Sequence, residues 1–358
     1  MKNFFSGLVL VSGLVTFMHC SNDPELSEGP SFNDGVFIVN EGNFTDSDGS
    51  LSYYDFDSSK VRNKVFEAIN DRPLAAVFQS MSFYSGYGFL IDQSGRIEIV
   101  DEKTLESVKI IDDNLDIPRY FTGHVNKGYV TDWGPYDEFY MNNESKIRVL
   151  DLENLAYDGE FDTPSRPEDI LTLKDKIYVA NSGINLVSVY DPSDNSLIKQ
   201  IEMNNGPTQF VVDKNENIWV ISTGAFISNG AIQEINTEDD EVTQTFDLGD
   251  MVPNGRFAID GAGEILYFMT EQWAPDYSWT WNAVIKGFVD YPGQFETIIT
   301  GQNLYGLGVD PIDGYIYVAD AVAFQGNGKV TIYGIFGSEH GEFTVGRGPR
   351  EFVFMNNN

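Results

Sequence analysis

Seven times along the chain a short apolar run ends on one polar residue, at Asn40, Asp92, Asp132, Asn181, Ser222, Thr270 and Asp320. The intervals between these ends are 52, 40, 49, 41, 48 and 50 residues. Each run is followed by a loop and then by a second β-rich segment, of which 187–191 (Val-Ser-Val-Tyr-Asp) is the clearest. Helical periodicity is nowhere sustained, and Gly, Asn and Asp punctuate short runs of Val, Ile, Tyr and Phe. A unit of about 40 to 50 residues carrying four short strands is the signature of a β-propeller blade. The reading is all-β, a seven-bladed β-propeller.

The chain ends suit a closed ring. The first apolar run, 36–40, matches the second strand of later units, and no strand-like run precedes it after the leader. The missing first strand is found at the other end, where 349–355 parallels 206–212. The C-terminal strand is therefore expected to complete the first blade and remove an open sheet edge. A chain of 358 residues suggests two domains by length, but repeat units share their cores with their neighbours. The expected organisation is a signal peptide over 1–20, a flexible tether over 21–34 and one propeller over 35–358.

Residues 1–20 contain Lys2, an apolar stretch over 8–17 and then Cys20, the only cysteine. An apolar-leaning stretch of ten residues is too short to span a bilayer, which makes this a leader and not a membrane helix. A lone cysteine here, followed by a polar tether, resembles a bacterial lipoprotein processing site, with Cys20 lipidated. His19 stands where a small residue is usual, so ordinary secretion with cleavage nearby is the alternative. The following Ser21-Asn22-Asp23-Pro24-Glu25 resembles the export signal of Bacteroidota surface lipoproteins, which implies an outer-membrane anchor facing the cell exterior.

The net charge is −33, from 55 acidic and 22 basic residues, which disfavours nucleic acid and anionic membrane surfaces. The few arginines are not scattered. Arg72, Arg119, Arg166, Arg256 and Arg350 all lie near prolines at the junction where one blade passes to the inner strand of the next. In a propeller these junctions share a face with the loops after the second strands and crowd toward the central channel. Two readings stand. The guanidinium groups pair with the strand-end acids Asp92, Asp132 and Asp320, or they form a cationic ring for an anionic or carbonyl-rich ligand.

Aromatic residues concentrate in loops of that same face. Trp133 and Tyr136 follow Asp132, and Trp273, Tyr277, Trp279 and Trp281 follow Thr270. Phe44, Phe226 and Phe324 fall in corresponding loops of other blades. Long aromatic insertions in a few units of a repeat mark a binding face, although the alternation of Tyr277, Trp279 and Trp281 also fits one buried face of an extended strand. Aromatic walls over a polar floor suit a bulky, partly planar ligand with a few polar handles.

Catalytic signals are sparse. His19 lies in the leader, and His124 and His340 fall in segments expected on the opposite face, so no catalytic residue, metal ligand or cofactor site is assigned. Thr45-Asp46-Ser47-Asp48-Gly49 is a weak echo of a calcium loop.

The run from Gly35 to Phe44, continued by Gly49-Ser50-Leu51-Ser52-Tyr53-Tyr54-Asp55, resembles the opening of YncE-like β-propeller lipoproteins of Bacteroidota. Units such as 177–183 followed by Tyr190-Asp191-Pro192 are similar to that group. It includes the BtuG-type surface proteins, seven-bladed propellers that capture cobalamin and pass it to a TonB-dependent outer-membrane transporter. The resemblance implies a non-enzymatic surface lipoprotein that captures a bulky nutrient, a corrinoid above all. The fold alone also accommodates a protein–protein scaffold or a lyase or lactonase-like enzyme.

Overall fold

Each predicted apolar run is the second strand of a four-stranded antiparallel sheet, and there are seven such sheets. The computed structural model describes residues 32–355, apart from 75, 140, 143, 205, 224–229 and 274–279 and the side chains of Trp273 and Thr280. Cys20, the leader and the tether as far as residue 31 lie outside the described residues, as do Phe226, Tyr277 and Trp279. Packing begins inside the expected tether. Phe32 is buried, its ring 5.0 Å from that of Tyr53 and edge-on to it.

The ring closes as expected. Pro349–Met355 pairs antiparallel with Gly35–Asn40, which in turn pairs with Ser50–Asp55, so the first blade takes its inner strand from the C-terminus. Two local departures matter later. A short helix, Val65–Asn70, stands between the outer strand Lys60–Arg62 of the first blade and the second blade. In the sixth blade the hairpin of Ile265–Trp273 and Thr280–Phe288 adds three residue pairs beyond Thr270. Its Trp281 pairs with Gln272 and is 38% exposed, so it does not belong to a buried face.

Three residues before each polar strand end sits an aromatic: Phe37, Phe89, Tyr129, Tyr178, Trp219, Tyr267 and Tyr317, all buried. Strand alternation points this position between blades, where one large ring per unit fills the wedge between neighbouring sheets. The polar ends themselves hold the junctions. Asp92 accepts the backbone N–H groups of Ala76 and Val77, Asp132 those of Asp116 and Ile117, and Asn181 donates to the carbonyl of Pro164. The residue following each end repeats one backbone bond seven times, from Glu41, Gln93, Trp133, Ser182, Thr223, Glu271 and Ala321 to the carbonyl just before the inner strand of the same blade. These residues form the rim of one face.

Candidate functional site

The channel is lined by the inner strands, and all seven share an irregularity. After the first residue of each, namely Pro349, Phe78, Pro118, Pro167, Pro207, Pro253 and Leu304, the register with the second strand shifts. A bulge inserts an unpaired residue and re-aims its side chain. The residues so placed include Arg350, Gln79, Arg119, Glu168, Thr208, Arg256 and Tyr305, a polar ring inside the arginine end of the channel.

Half of this ring is locked. Arg119 donates from Nε and Nη2 to Glu168 at 3.1 and 2.8 Å and from Nη1 to Gln93 at 2.6 Å. Arg350 is buried and donates to Gln79 at 2.8 Å, reaches Glu41 at 3.5 Å, and extends to the hydroxyl of Tyr120 in the third blade at 3.2 Å. The hydroxyl of Tyr305 donates to Glu41, and burial with that neighbouring charge pushes its pKa up to about 12. Buried pairs of this kind fix geometry, and losing one partner is costly because the other charge is stranded.

Below the ring two partly buried acids staple blades together. Asp169 accepts the N–H of Phe210 in the next blade at 2.9 Å, and Glu351 accepts that of Met81 at 3.3 Å. Burial pushes each up to about 7.

The other half is open. Arg256 donates from Nε to the carbonyl of Tyr305 at 2.8 Å and lies 5.0 Å from that ring, and it forms no ion pair among the described residues. It borders a channel cavity of about 180 Å³, together with Arg350, Tyr120, Gln209 and Glu351 at this end and Ile259, Val309 and Phe354 toward the other.

At the rim, the indole of Trp133 packs against two guanidinium groups, its ring centroid 4.3 Å from that of Arg119 and 5.4 Å from that of Arg166. Arg166 is held by the side chain of Asn142 at 2.9 Å. The Trp133 N–H is buried and has no acceptor, an unusual condition for an indole donor. Tyr136 is 49% exposed and Phe44 is 79% exposed. Phe324 closes a stretch of three successive left-handed residues and stands edge-on to Tyr305 at 5.1 Å.

The sequence-predicted set is thus brought together in part. Arg119, Arg166, Trp133, Arg256, Arg350 and Phe324 converge around the channel mouth through shared partners. Arg72 does not. It pairs with Glu98 at 2.7 Å and Ser107 at 2.9 Å on the outer side of the second blade, because the Val65–Asn70 helix displaces the junction outward. The expected acid partners are also different. Asp92 and Asp132 are occupied by backbone N–H groups, Asp320 accepts the N–H of Val322, and the arginine paired with Asp132 is Arg148 at 3.0 Å. Asp46 and Asp48 of the calcium-like loop face Arg347. Trp273 ends its strand, with its side chain outside the described residues. Glu41, Gln79, Gln93, Tyr120, Glu168 and Tyr305 were missed, although their offsets from the strand ends and inner-strand starts repeat.

Among the described residues no group of three or more His, Cys, Asp or Glu side chains is arranged to hold a metal ion. His124 ends the inner strand Pro118–His124 that begins at the arginine end, which puts it at the other end.

A family model described as a domain of unknown function, DUF5074, matches residues 34–343. The chain belongs to the DUF5074 family. No curated protein matches. Among solved structures, this DUF5074 propeller is similar to a quinonprotein alcohol dehydrogenase-like protein from Bacteroides thetaiotaomicron, with TM-score 0.67 and 15% identity over 91% of this chain and 79% of that one. It is similar to hydrazine synthase of Kuenenia stuttgartiensis, with TM-score 0.63 and 14% identity over 74% and 85% of the two chains. The periplasmic gluconolactonase of Pseudomonas aeruginosa matches with TM-score 0.61 and 12% identity over 89% and 98%. At such identities the likeness is one of fold.

Proposed function

We propose that this protein is a surface-exposed lipoprotein that captures a bulky, partly planar nutrient at the arginine end of its propeller and hands it to a TonB-dependent outer-membrane transporter. The favoured ligand is cobalamin or a related corrinoid. The observation that supports this reading most is the gathering of Arg119, Arg166 and Trp133 at the rim beside Arg256, which forms no ion pair among the described residues and borders the channel cavity. Such an arrangement offers positive charge and guanidinium N–H donors to a ligand with polar handles, at little ordering cost because the blades are rigid. The corrinoid preference and the transporter rest on the resemblance to YncE-like, BtuG-type propellers, and the anchor rests on Cys20.

Native mass spectrometry of the mature chain against corrinoids, haem, ferric siderophores and oligosaccharides tests the ligand. A one-to-one corrinoid adduct is expected, and adducts with none of the four classes overturn nutrient capture. For the anchor, Cys20→Ala is expected to move the protein out of the membrane fraction without changing its melting temperature. Retention of that variant in the membrane fraction means that the anchor lies elsewhere.

A further inference from the structure

On the face opposite the arginines, a cavity of about 470 Å³ lies between the seventh and first blades, with Asp34, Tyr54, Phe56, Asp310, Asp313 and Tyr317 among its lining residues. The repeat supplies an internal comparison. In the third, fourth and fifth blades the polar tip of the wedge aromatic is satisfied by protein: Tyr129 donates to the carbonyl of Pro192, Tyr178 to Asp240 and Trp219 to Asp213. In the fifth blade the turn carboxylate does both jobs, since Asp213 Oδ1 accepts the N–H of Asn215 and Oδ2 that of Trp219.

The sixth and seventh blades omit the bond: the Tyr267 hydroxyl is buried without a partner among the described residues, and the seventh blade alone of the two sets its tyrosine beside this cavity. Asp310 Oδ1 accepts the N–H groups of Ile312 and Asp313, but no described group donates to its other oxygen. Tyr317 is 3% exposed and its hydroxyl makes no hydrogen bond with any described residue, while it borders the cavity. Among the ion pairs of the described residues, Asp310 and Asp313 do not figure, whereas Lys329 of the same blade pairs with Glu342. Desolvation, with the crowding of Asp57, Asp310, Asp55 and Asp313 added to it, raises the pKa of Asp34. The aromatic walls are themselves packed and fixed, Tyr54 by stacking on Phe343 at 4.3 Å and Tyr317 by Phe354 at 5.4 Å.

We propose that this cavity binds an organic ammonium ion, whose N–H donors meet Asp310, Asp313 and the Tyr317 hydroxyl while its carbon chain lies against Tyr54 and Phe56. Carboxylates beside aromatic faces select cations with apolar substituents over bare ions. A free alkylamine and a lysine side chain of a partner present the same group.

The test titrates the full chain with n-butylammonium, with Nα-acetyl-lysine methylamide as the form a protein would present, and with neutral n-butanol. Saturable binding of the first is expected, with none of butanol; affinity for the lysine derivative at or above that for butylammonium assigns the site to a partner's lysine, and weaker affinity to a free amine. Asp313→Asn, at an exposed turn, and Tyr317→Phe each weaken butylammonium binding about tenfold, the effect of one charge-assisted hydrogen bond. Glu342→Gln, which removes an equal charge from the same blade, leaves it unchanged. The proposal is overturned by absence of saturable binding, by equal weakening in Glu342→Gln, or by calcium displacing the probe at lower concentration.

Discussion

Arg119 and Arg256 occupy equivalent bulges of the third and sixth blades, yet one is locked and the other open. Arg119 has a carboxylate and an amide on three of its nitrogens, both supplied by neighbouring blades. Arg256 has a backbone carbonyl and a ring, and borders a cavity. A bulge arginine therefore serves two purposes, and the difference lies in the adjacent blades. Glu168 stands beside Arg119, whereas Thr208 and Tyr305 flank Arg256 at the same station of the ring. A repeat fold makes such divergence easy, because one bulge can be re-equipped without disturbing the strand pairing around it.

The most severe way to break the comparison is to break the ring that supports both arcs. Deleting residues 351–358 removes most of the strand paired with Gly35–Asn40 and exposes the cores on either side. The truncated chain is expected to aggregate or to lose its cooperative melt, as read by light scattering and circular dichroism. Within an intact ring, Glu168→Ala strands the Arg119 charge and is expected to cost about 3–5 kcal/mol in chemical denaturation.

A pH experiment separates the stapling acids from the ring. Asp169 is raised from 3.8 to about 7 by burial, so between those values the native state keeps a proton that the unfolded chain has lost. Stability owed to this group is complete below the unfolded pKa and declines as pH rises toward about 7. Asp169→Asn should remove that decline, so that the variant gains on the wild type by about 1–3 kcal/mol from pH 4 to pH 8. A constant difference across that range contradicts the assignment. The smallest effect belongs to the open arc, where Arg256→Gln should change stability by less than about 1 kcal/mol, since no carboxylate is left stranded.

Much of the architecture was legible because its period is carried by single residues at fixed stations. The polar strand ends gave the blade count, and the parallel between 349–355 and 206–212 gave the closure. The site was legible only as a crowd of arginines and aromatics. Arg72 shares its proline neighbour with Arg166 but is carried outward by a six-residue helix too short to show periodicity. The pairing of Arg119 with Glu168 joins residues 49 positions apart in different blades, which only the ring geometry brings together. The wedge aromatics and the rim residues were visible as offsets of −3 and +1 from the strand ends, a signal that comes from aligning the units with one another.

The account turns on the rim of the arginine end being the place of capture. The most direct measurement is the affinity of the full chain for cyanocobalamin, by titration, in the wild type, Trp133→Ala and His340→Ala. Removing the Trp133 indole should cost about 2 kcal/mol or more, roughly a thirtyfold loss, while His340→Ala on the opposite face should bind like the wild type. Wild-type affinity in Trp133→Ala, with binding lost in His340→Ala, would contradict the account and move the site to the other end of the propeller.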